Sequence, residues 1–353
     1  MTTREPLNKR VPAPAVVPAL PDAAAGVPLT WRAARRDDAT GLHRLISAAE
    51  RWDSPDEHTG AEAVSLALTA ENLDLVRDAV VGLDAGGTPI AYGTARLSSA
   101  PVPVTDGRAV EVALDGVVHP RLRRRGIGTR LLRWQQARGL QILAGSPLPL
   151  SAMLTTSTRA TNVGDLALYR QEGFRPVRRW LKLDRSLEVP IPHRLAPTRV
   201  RVTRLKRGLS EPTRVALNAA FETHWGFAPL ERSEWRAAGR LPENAPRLSR
   251  VAVAGSGRRS DPRRVVGFVL TETSATVDGT RIGRLGAVGV IPTWRGTGLA
   301  TTLLTETLRA MRRAGLERVV LDVDAENPSG AVGIYTHLGF READRAVTYA
   351  RTF

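Results

Sequence analysis

Cysteine is absent from the 353 residues, and lysine nearly so: Lys9, Lys182 and Lys206 are the only lysines among 51 Lys and Arg side chains. Without a thiol the chain can form no disulfide, thiolate metal site or covalent cysteine intermediate, so any group transfer is direct or uses another nucleophile. No run approaches the roughly twenty continuous apolar residues of a membrane span, and no membrane partner is expected. The apolar stretch 11–20 is broken by Pro12, Pro14 and Pro18, which is wrong for the core of a secretory signal, so cytoplasm is the expected location. Aromatic residues make up only 5% of the chain and are not interleaved with basic ones. With no recognition helix or zinc pattern either, the net charge of +16 does not read as a nucleic-acid interface. It reads instead as attraction for a small anion, or as the heavy arginine use expected of a high-GC genome.

What the chain does have is a glycine-centred segment written twice. Residues 119–132 read His-Pro-Arg-Leu-Arg-Arg-Arg-Gly-Ile-Gly-Thr-Arg-Leu-Leu, and residues 291–304 read Ile-Pro-Thr-Trp-Arg-Gly-Thr-Gly-Leu-Ala-Thr-Thr-Leu-Leu. Aligned without a gap, they share Pro120/Pro292, Arg123/Arg295, Gly126/Gly298, Thr129/Thr301 and the closing leucine pair. Each contains Arg-x-x-Gly-x-Gly/Ala between a strand-like run and an amphipathic helix. Glycines let backbone N–H groups approach an anion where a Cβ would clash, and a helix N-terminus behind them adds unpaired donors and partial positive charge. Leu299, Leu303, Leu304, Leu308 and Met311 fall on one helical face, and Ile127, Leu131 and Leu132 begin the same stripe in the first copy. Two related domains are expected, each with a phosphate cradle.

A second pairing lies downstream. Residues 168–175 read Leu-Tyr-Arg-Gln-Glu-Gly-Phe-Arg and residues 334–341 read Ile-Tyr-Thr-His-Leu-Gly-Phe-Arg. Each follows an asparagine, Asn162 or Asn327, beyond a strand-like run at 149–156 or 318–323. This order of strand, Arg-x-x-Gly-x-Gly/Ala, helix, strand, Asn and a helix carrying Tyr before Gly-Phe resembles the GNAT superfamily of acyl-CoA-dependent N-acetyltransferases. Two such modules in one chain resemble the tandem GNAT proteins of actinobacteria, the group that includes mycothiol synthase, over nearly everything from Leu29 onward. The resemblance implies an α/β fold of two tandem GNAT domains, each a central, twisted, mostly antiparallel mixed sheet flanked by helices. It also implies acetyl-CoA as acyl donor, whose phosphates would use part of the positive charge.

Residues 1–28, rich in Pro and Ala and without periodicity, read as a flexible tail. An N-terminal module is expected over 29–184, a linker with Pro190, Pro192 and Pro197 over 185–197, and a C-terminal module over 198–353. Strands are expected at 29–32, 79–83, 89–97 and 109–118, then at 199–205, 250–254, 265–273 and 281–290, with helices at 37–50 and 212–221. Arg123 and Tyr169 are 46 positions apart, Arg295 and Tyr335 only 40. The surplus is placed in the loop 145–150.

In GNAT enzymes the acetyl carbonyl and pantetheine lie between two splayed central strands, where a bulge frees backbone N–H groups. The resemblance puts Val290 at that point, and Val118 in the first module. The pyrophosphate then falls on Arg295, Gly296, Thr297, Gly298, Leu299 and Ala300, and in the first module on Arg123, Arg124, Arg125, Gly126, Ile127, Gly128 and Thr129. Tyr335 matches the family tyrosine that protonates the CoA sulfur, which a phenol can do because the two pKa values differ by only about two units. Tyr169 holds the same place in the first module; either ring could instead simply brace its helix. Asn327 and Asn162 carry over as pantetheine contacts, against a plain capping role in which Pro328 would be the first helical residue.

The base is a departure. Many family members place a Glu on the fourth strand, yet 281–291 contains no carboxylate, whereas the first module has Glu111 and Asp115 on its equivalent strand. The second module would need a water relay or one of Glu222, His224 and Asp322; otherwise the chemistry lies in the first. His224 and Trp225 fall where GNAT proteins build the acceptor pocket, and form either a substrate reader or a packed corner. By resemblance the C-terminal module is the catalyst. The expected function is acetyl-CoA-dependent N-acetylation of a primary amine on a small molecule or protein, by a monomer or homodimer. The alternative, favoured by the missing carboxylate, is a CoA-binding regulatory or scaffold protein with a degenerate acceptor site.

Overall fold

The computed structural model describes residues 4–24, 26–53, 59–193, 196–255, 262–275, 279–327 and 330–353. It divides into two compact units, Met1–Arg178 with Val347–Phe353 (unit 1) and Arg179–Ala346 (unit 2). The final strand of each sequence repeat therefore contributes to the other unit.

Unit 1 carries α1 (Leu7–Arg10), β1 (Ala23–Ala24), β2 (Val27–Pro28), β3 (Thr30–Ala33), α2 (Ala39–Asp53), α3 (Ala61–Ala67), α4 (Leu75–Asp78), β4 (Ala79–Leu83), β5 (Pro89–Leu97), β6 (Val102–Val104), β7 (Gly107–Val118), α5 (Ile127–Ala144), β8 (Ser151–Arg159) and α6 (Val163–Gln171). Its main sheet runs β8-β7-β5-β4-β3, with β7 and β8 parallel and the other neighbours antiparallel. The chain end lies beside β8, where Phe353 and Ala152 exchange backbone hydrogen bonds of 2.9 and 3.2 Å.

Unit 2 takes most of β9 (Arg175–Ser186), then β10 (Val200–Arg204), α7 (Ser210–Phe221), α8 (Arg232–Ala238), β11 (Arg250–Ala254), β12 (Arg264–Ala275), β13 (Arg281–Val290), α9 (Leu299–Arg313), β14 (Arg318–Asp324), α10 (Ala331–His337) and the start of β15 (Arg341–Thr352). The order is β10-β11-β12-β13-β14-β9, parallel only between β13 and β14. Both faces are covered, which is why β11 reads as a continuous apolar run rather than an alternating one. The stripe Leu299, Leu303, Leu304, Leu308 and Met311 of α9 is buried against Ala252, Val266, Val269 and Leu285, while Ala216 and Leu217 of α7 pack on Val251, Val253, Val265 and Phe268. Each fully buried leucine contributes about 2 kcal/mol.

The tail is not free of the core. Leu7 is fully buried and Val11 nearly so in the unit 1 cluster, and the Leu7 and Asn8 amides donate to the Leu148 and Ser146 carbonyls at 3.1 and 3.0 Å. Two apolar side chains spaced one helical turn apart outweigh the proline-rich composition around them. The loop surplus also needs correcting: α5 has 18 residues against 15 in α9, so half of the extra six residues lengthen the helix. The first residues of the linker are core. Arg185 is 1% exposed and donates to the carbonyls of Leu338, Ser186, Val189 and Pro190 at 2.6 to 3.0 Å, its pKa lowered by burial.

Candidate active site

The pairing of β13 with β14 covers only Ile282↔Arg318 to Arg284↔Val320, although β13 continues to Val290. Its edge from Leu285 onward therefore lies outside the ladder with β14. On the other edge the register with β12 shifts: Leu270 pairs with Ala287 but Thr271 with Leu285, leaving Gly286 as an extra residue. Such a bulge leaves backbone groups outside the ladder and bends the strand. The sequence reading centred this feature on Val290; it lies four residues earlier, because register across β12 decides it. Glycine lets the carboxylate of Glu272 approach closely there, since a Cβ at Gly286 would stand 3.0 Å from Glu272 Oε1. In unit 1, β7 also leaves β8 beyond Ala113↔Thr155. Its register with β5 nevertheless runs without a shift from Ala91↔Val118 to Leu97↔Val112.

Past β13 the chain turns into α9 through two left-handed glycines, Gly296 (φ 74°) and the N-cap Gly298 (φ 78°), both facing open space. Thr297 is tied by its hydroxyl to the Trp294 carbonyl at 2.8 Å, and the Leu299 side chain is buried. What residues 296–300 present outward is the set of unpaired amides at the start of a helix, which suits a diphosphate. The Arg295 guanidinium turns the other way, donating to the carbonyls of Val290 (3.3 Å) and Ala220 (2.9 Å), so it ties the strand end to α7.

The first copy differs. Arg124 (φ 64°) occupies the left-handed position of Gly296, a conformation that costs a non-glycine residue about 1 kcal/mol. Gly126 keeps φ 79°. Gly128 does not need to be glycine, since a Cβ there would make ordinary contact with Leu168 at 3.7 Å. Arg123 donates to the Val118 carbonyl at 3.2 Å and bidentately to Asp53 at 2.6 and 2.7 Å, a hydrogen bond that raises its pKa. Arg124 and Arg125 are exposed, Ile127 is buried and Thr129 half-buried.

The two tyrosines diverge in the same sense. Tyr335 is 7% exposed, its ring edge-on to Phe340 at 5.7 Å, and its hydroxyl carries no hydrogen bond to the described residues. Burial pushes its pKa up to about 12. Burial also raises Tyr169, but that hydroxyl is hydrogen-bonded to Thr156, and its ring packs on Tyr349 and Phe174 at 5.7 and 6.2 Å. Asn162 caps α6: its side chain accepts from the Asp165 amide at 3.3 Å and donates to Asp165 Oδ2 at 2.8 Å. Asn327 is not a cap, because Gly330 holds that place in α10; Pro328 lies outside the described residues.

On the α7 face of unit 2 an aromatic wall forms. Phe221 meets His224 at 5.2 Å, Phe227 at 5.5 Å and Phe268 at 6.4 Å, and Trp180 of β9 meets His224 at 6.1 Å and Trp225 at 6.4 Å. Glu222 is exposed at the end of α7. Asp322 is paired with Arg284. In unit 1, Glu111 accepts from Ser98 (2.9 Å) and Thr155 (2.8 Å), and the exposed Asp115 lies 3.8 Å from Arg96. Sequence reasoning missed Glu272 and Glu243. Glu272 stands on β12 directly across from Arg284, and the only sequence signal was the Glu at 272 within an otherwise uncharged strand run.

A bulged central strand, a parallel neighbour paired with it only at one end and an anion cradle at a helix start together define an acyl-CoA-dependent N-acetyltransferase. A family model described as acetyltransferase (GNAT) family matches residues 216–340, all within unit 2. The mycothiol acetyltransferase of Salinispora tropica is 30% identical over 88% of this chain and 92% of its own length. The chain belongs to the GNAT acetyltransferases, in tandem form, and transfers an acetyl group from acetyl-CoA to an amine. A GCN5-related N-acetyltransferase from Sphaerobacter thermophilus superposes with a TM-score of 0.64 at 28% identity, covering 92% of this chain and 95% of that one. A tandem GNAT protein from the clavulanic acid biosynthesis pathway shares the fold, with a TM-score of 0.62 at 17% identity over 92% and 98% of the two chains. No helix among the described residues is long and apolar enough to cross a membrane.

Proposed function

We propose that unit 2 is the catalytic module and that its acceptor is the primary amine of a small molecule. The observation that carries this reading is the contrast at the fourth strand: β13 has the Gly286 bulge, while β7 has none among its register pairs with β5. The amides of residues 296–300 hold the diphosphate, and the edge of β13 beyond Arg284 takes the pantetheine arm, with Asn327 beside it. Bound acetyl-CoA supplies the activated thioester. Tyr335, with an uncommitted hydroxyl, delivers a proton to the leaving sulfur; a phenol that remains protonated to about pH 12 is always in the donating state at working pH. The wall of Phe221, His224, Trp225 and Trp180 supplies an apolar side to the acceptor. Relatives named for mycothiol acetylation support a small-molecule acceptor over a protein one.

The test is release of free thiol from acetyl-CoA with a panel of primary amines, run on the whole chain and on a Gly298→Glu variant. The reading requires amine-dependent thiol release that the variant loses. Full activity in the variant would place the chemistry elsewhere.

A further inference from the structure

The reaction needs a proton acceptor for the incoming amine, and β13 carries no carboxylate to provide one. The neighbouring strand does. We propose that Glu272 of β12 is the catalytic base of unit 2; this rests on unit 2 being the catalytic module.

The placement comes from the bulge. By strand alternation Glu272 shares the face of Leu270, which packs with the α7 cluster, the same face as the aromatic wall. Its Oε1 lies against Gly286, 3.0 Å from where a Cβ would stand, so the glycine that opens the strand also brings the carboxylate up to it. Glu272 keeps part of its surface open to solvent although its carboxyl is largely shielded, so an incoming acceptor can still reach it. A turn at 243–244 lies alongside: Thr273 N–H donates to the Glu243 carbonyl at 2.7 Å, and Asn244 forms an isolated β-bridge with Glu272.

The charged groups around it are few. Arg284 faces Glu272 from β13 but is shared with Asp322 of β14, and Glu243 approaches from the flanking segment. One Glu243 carboxylate oxygen is fully buried with no hydrogen-bond partner among the described residues. Lost hydration raises the Glu272 pKa, Arg284 opposes this, and Glu243 adds to it. A carboxylate with a raised pKa is a stronger base than an ordinary one, and this suits proton removal from an amine.

The step balances within unit 2. The amine nitrogen bonds to the acetyl carbon and the carbon–sulfur bond breaks. The amine proton passes to Glu272 Oε1, and the Tyr335 hydroxyl gives its proton to the sulfur. Solvent then carries a proton from Glu272 back to Tyr335, leaving amide and free CoA thiol.

The test uses the full chain, acetyl-CoA, and glucosamine and n-butylamine as probe acceptors, reading thiol release from pH 5.5 to 9.5, with calorimetric acetyl-CoA binding as the folding control. Glu272→Gln should cut kcat roughly 100-fold near pH 6.5, remove the acidic limb of kcat/KM, and recover toward wild type at pH 9.5 as free amine accumulates. An unchanged acidic limb in Glu272→Gln, with acetyl-CoA binding intact and Tyr335→Phe impaired, overturns the base assignment alone. Wild-type rates in Gly298→Glu, or no amine-dependent thiol release by the wild type, overturn the unit 2 reading and the base with it.

Discussion

In unit 2 the phenol of Tyr335 is buried but uncommitted; in unit 1 the phenol of Tyr169 is bonded to Thr156. The same divergence recurs at each matched position. Gly296 takes a left-handed turn at no steric cost, while Arg124 takes it as an exposed arginine. Asn162 is spent on capping α6, whereas the N-cap of α10 is Gly330. The unit 1 arginine closes on an aspartate, Asp53, where Arg295 closes on two carbonyls. A duplicated motif can thus keep its backbone path while its polar groups are redirected to hold the fold. The lesson is that matching residues in sequence establishes a shared scaffold, and the hydrogen-bond partners establish whether a site remains.

The sharpest way to break this comparison is to block each cradle separately. Gly298→Glu should weaken acetyl-CoA binding and turnover by roughly 100-fold or more, since it places bulk and like charge at a left-handed, amide-lined turn. Gly126→Glu should leave turnover unchanged. Calorimetric stoichiometry with the thiol assay decides it, and equal losses from the two variants would dissolve the distinction.

Next come the tyrosines. Tyr335→Phe should lower kcat by roughly 100-fold with the acetyl-CoA Kd within twofold, because only a transferable proton is removed. Tyr169→Phe should cost about 1 kcal/mol of stability, the value of one hydrogen bond whose Thr156 partner is left unsatisfied, and leave kcat alone. Denaturant titration beside kinetics separates the two.

A smaller effect concerns the backbone of β13. Gly286→Ala should lower kcat roughly tenfold, since a Cβ at 3.0 Å from Glu272 Oε1 must displace the carboxylate or flatten the bulge, and a small misplacement costs about that much. The position that aligns with it in the unshifted β7 is the buried Leu114, so unit 1 has no bulge glycine to test in the same way. The comparison is made at saturating acetyl-CoA.

The smallest expected change is structural and confined to unit 1. Burial would raise the Asp38 pKa, but hydrogen bonds from Arg32 (2.7 Å) and the Arg35 amide (2.7 Å) outweigh it and the net shift is downward. A carboxylate lowered on folding stabilises above its unfolded pKa and loses that contribution as pH falls through the folded value. Asp38→Asn should therefore cost about 1 kcal/mol near pH 7, and the Tm difference from wild type should shrink as pH falls through the lowered folded-state value.

Much of this was legible in the residues. The strands at 79–83, 89–97, 250–254 and 281–290 match the structure to the residue, because alternation and turn residues at their ends are local signals. Both glycine turns at the helix starts were legible for the same reason: a positive-φ glycine before an apolar helical stripe leaves a mark within a dozen residues. Glu272 was not, since its nearness to Gly286 arises from a one-residue slip in pairing that no periodicity reveals. Nor was the burial of Leu7, which depends on a pocket offered by residues about 140 positions away.

The amino-acid order by itself determined that there are two strand–turn–helix modules of one lineage, because backbone dihedrals and helical stripes are written in neighbouring residues. Only the tertiary structure decided that β9 completes the sheet of unit 2 beside β14 and that the last residues of β15 lie beside β8 in unit 1. It also decided which tyrosine keeps a free hydroxyl and which strand supplies a carboxylate. Those outcomes depend on register and on partners distant along the chain, where pairing energy is shared among many contacts and no short segment carries the choice.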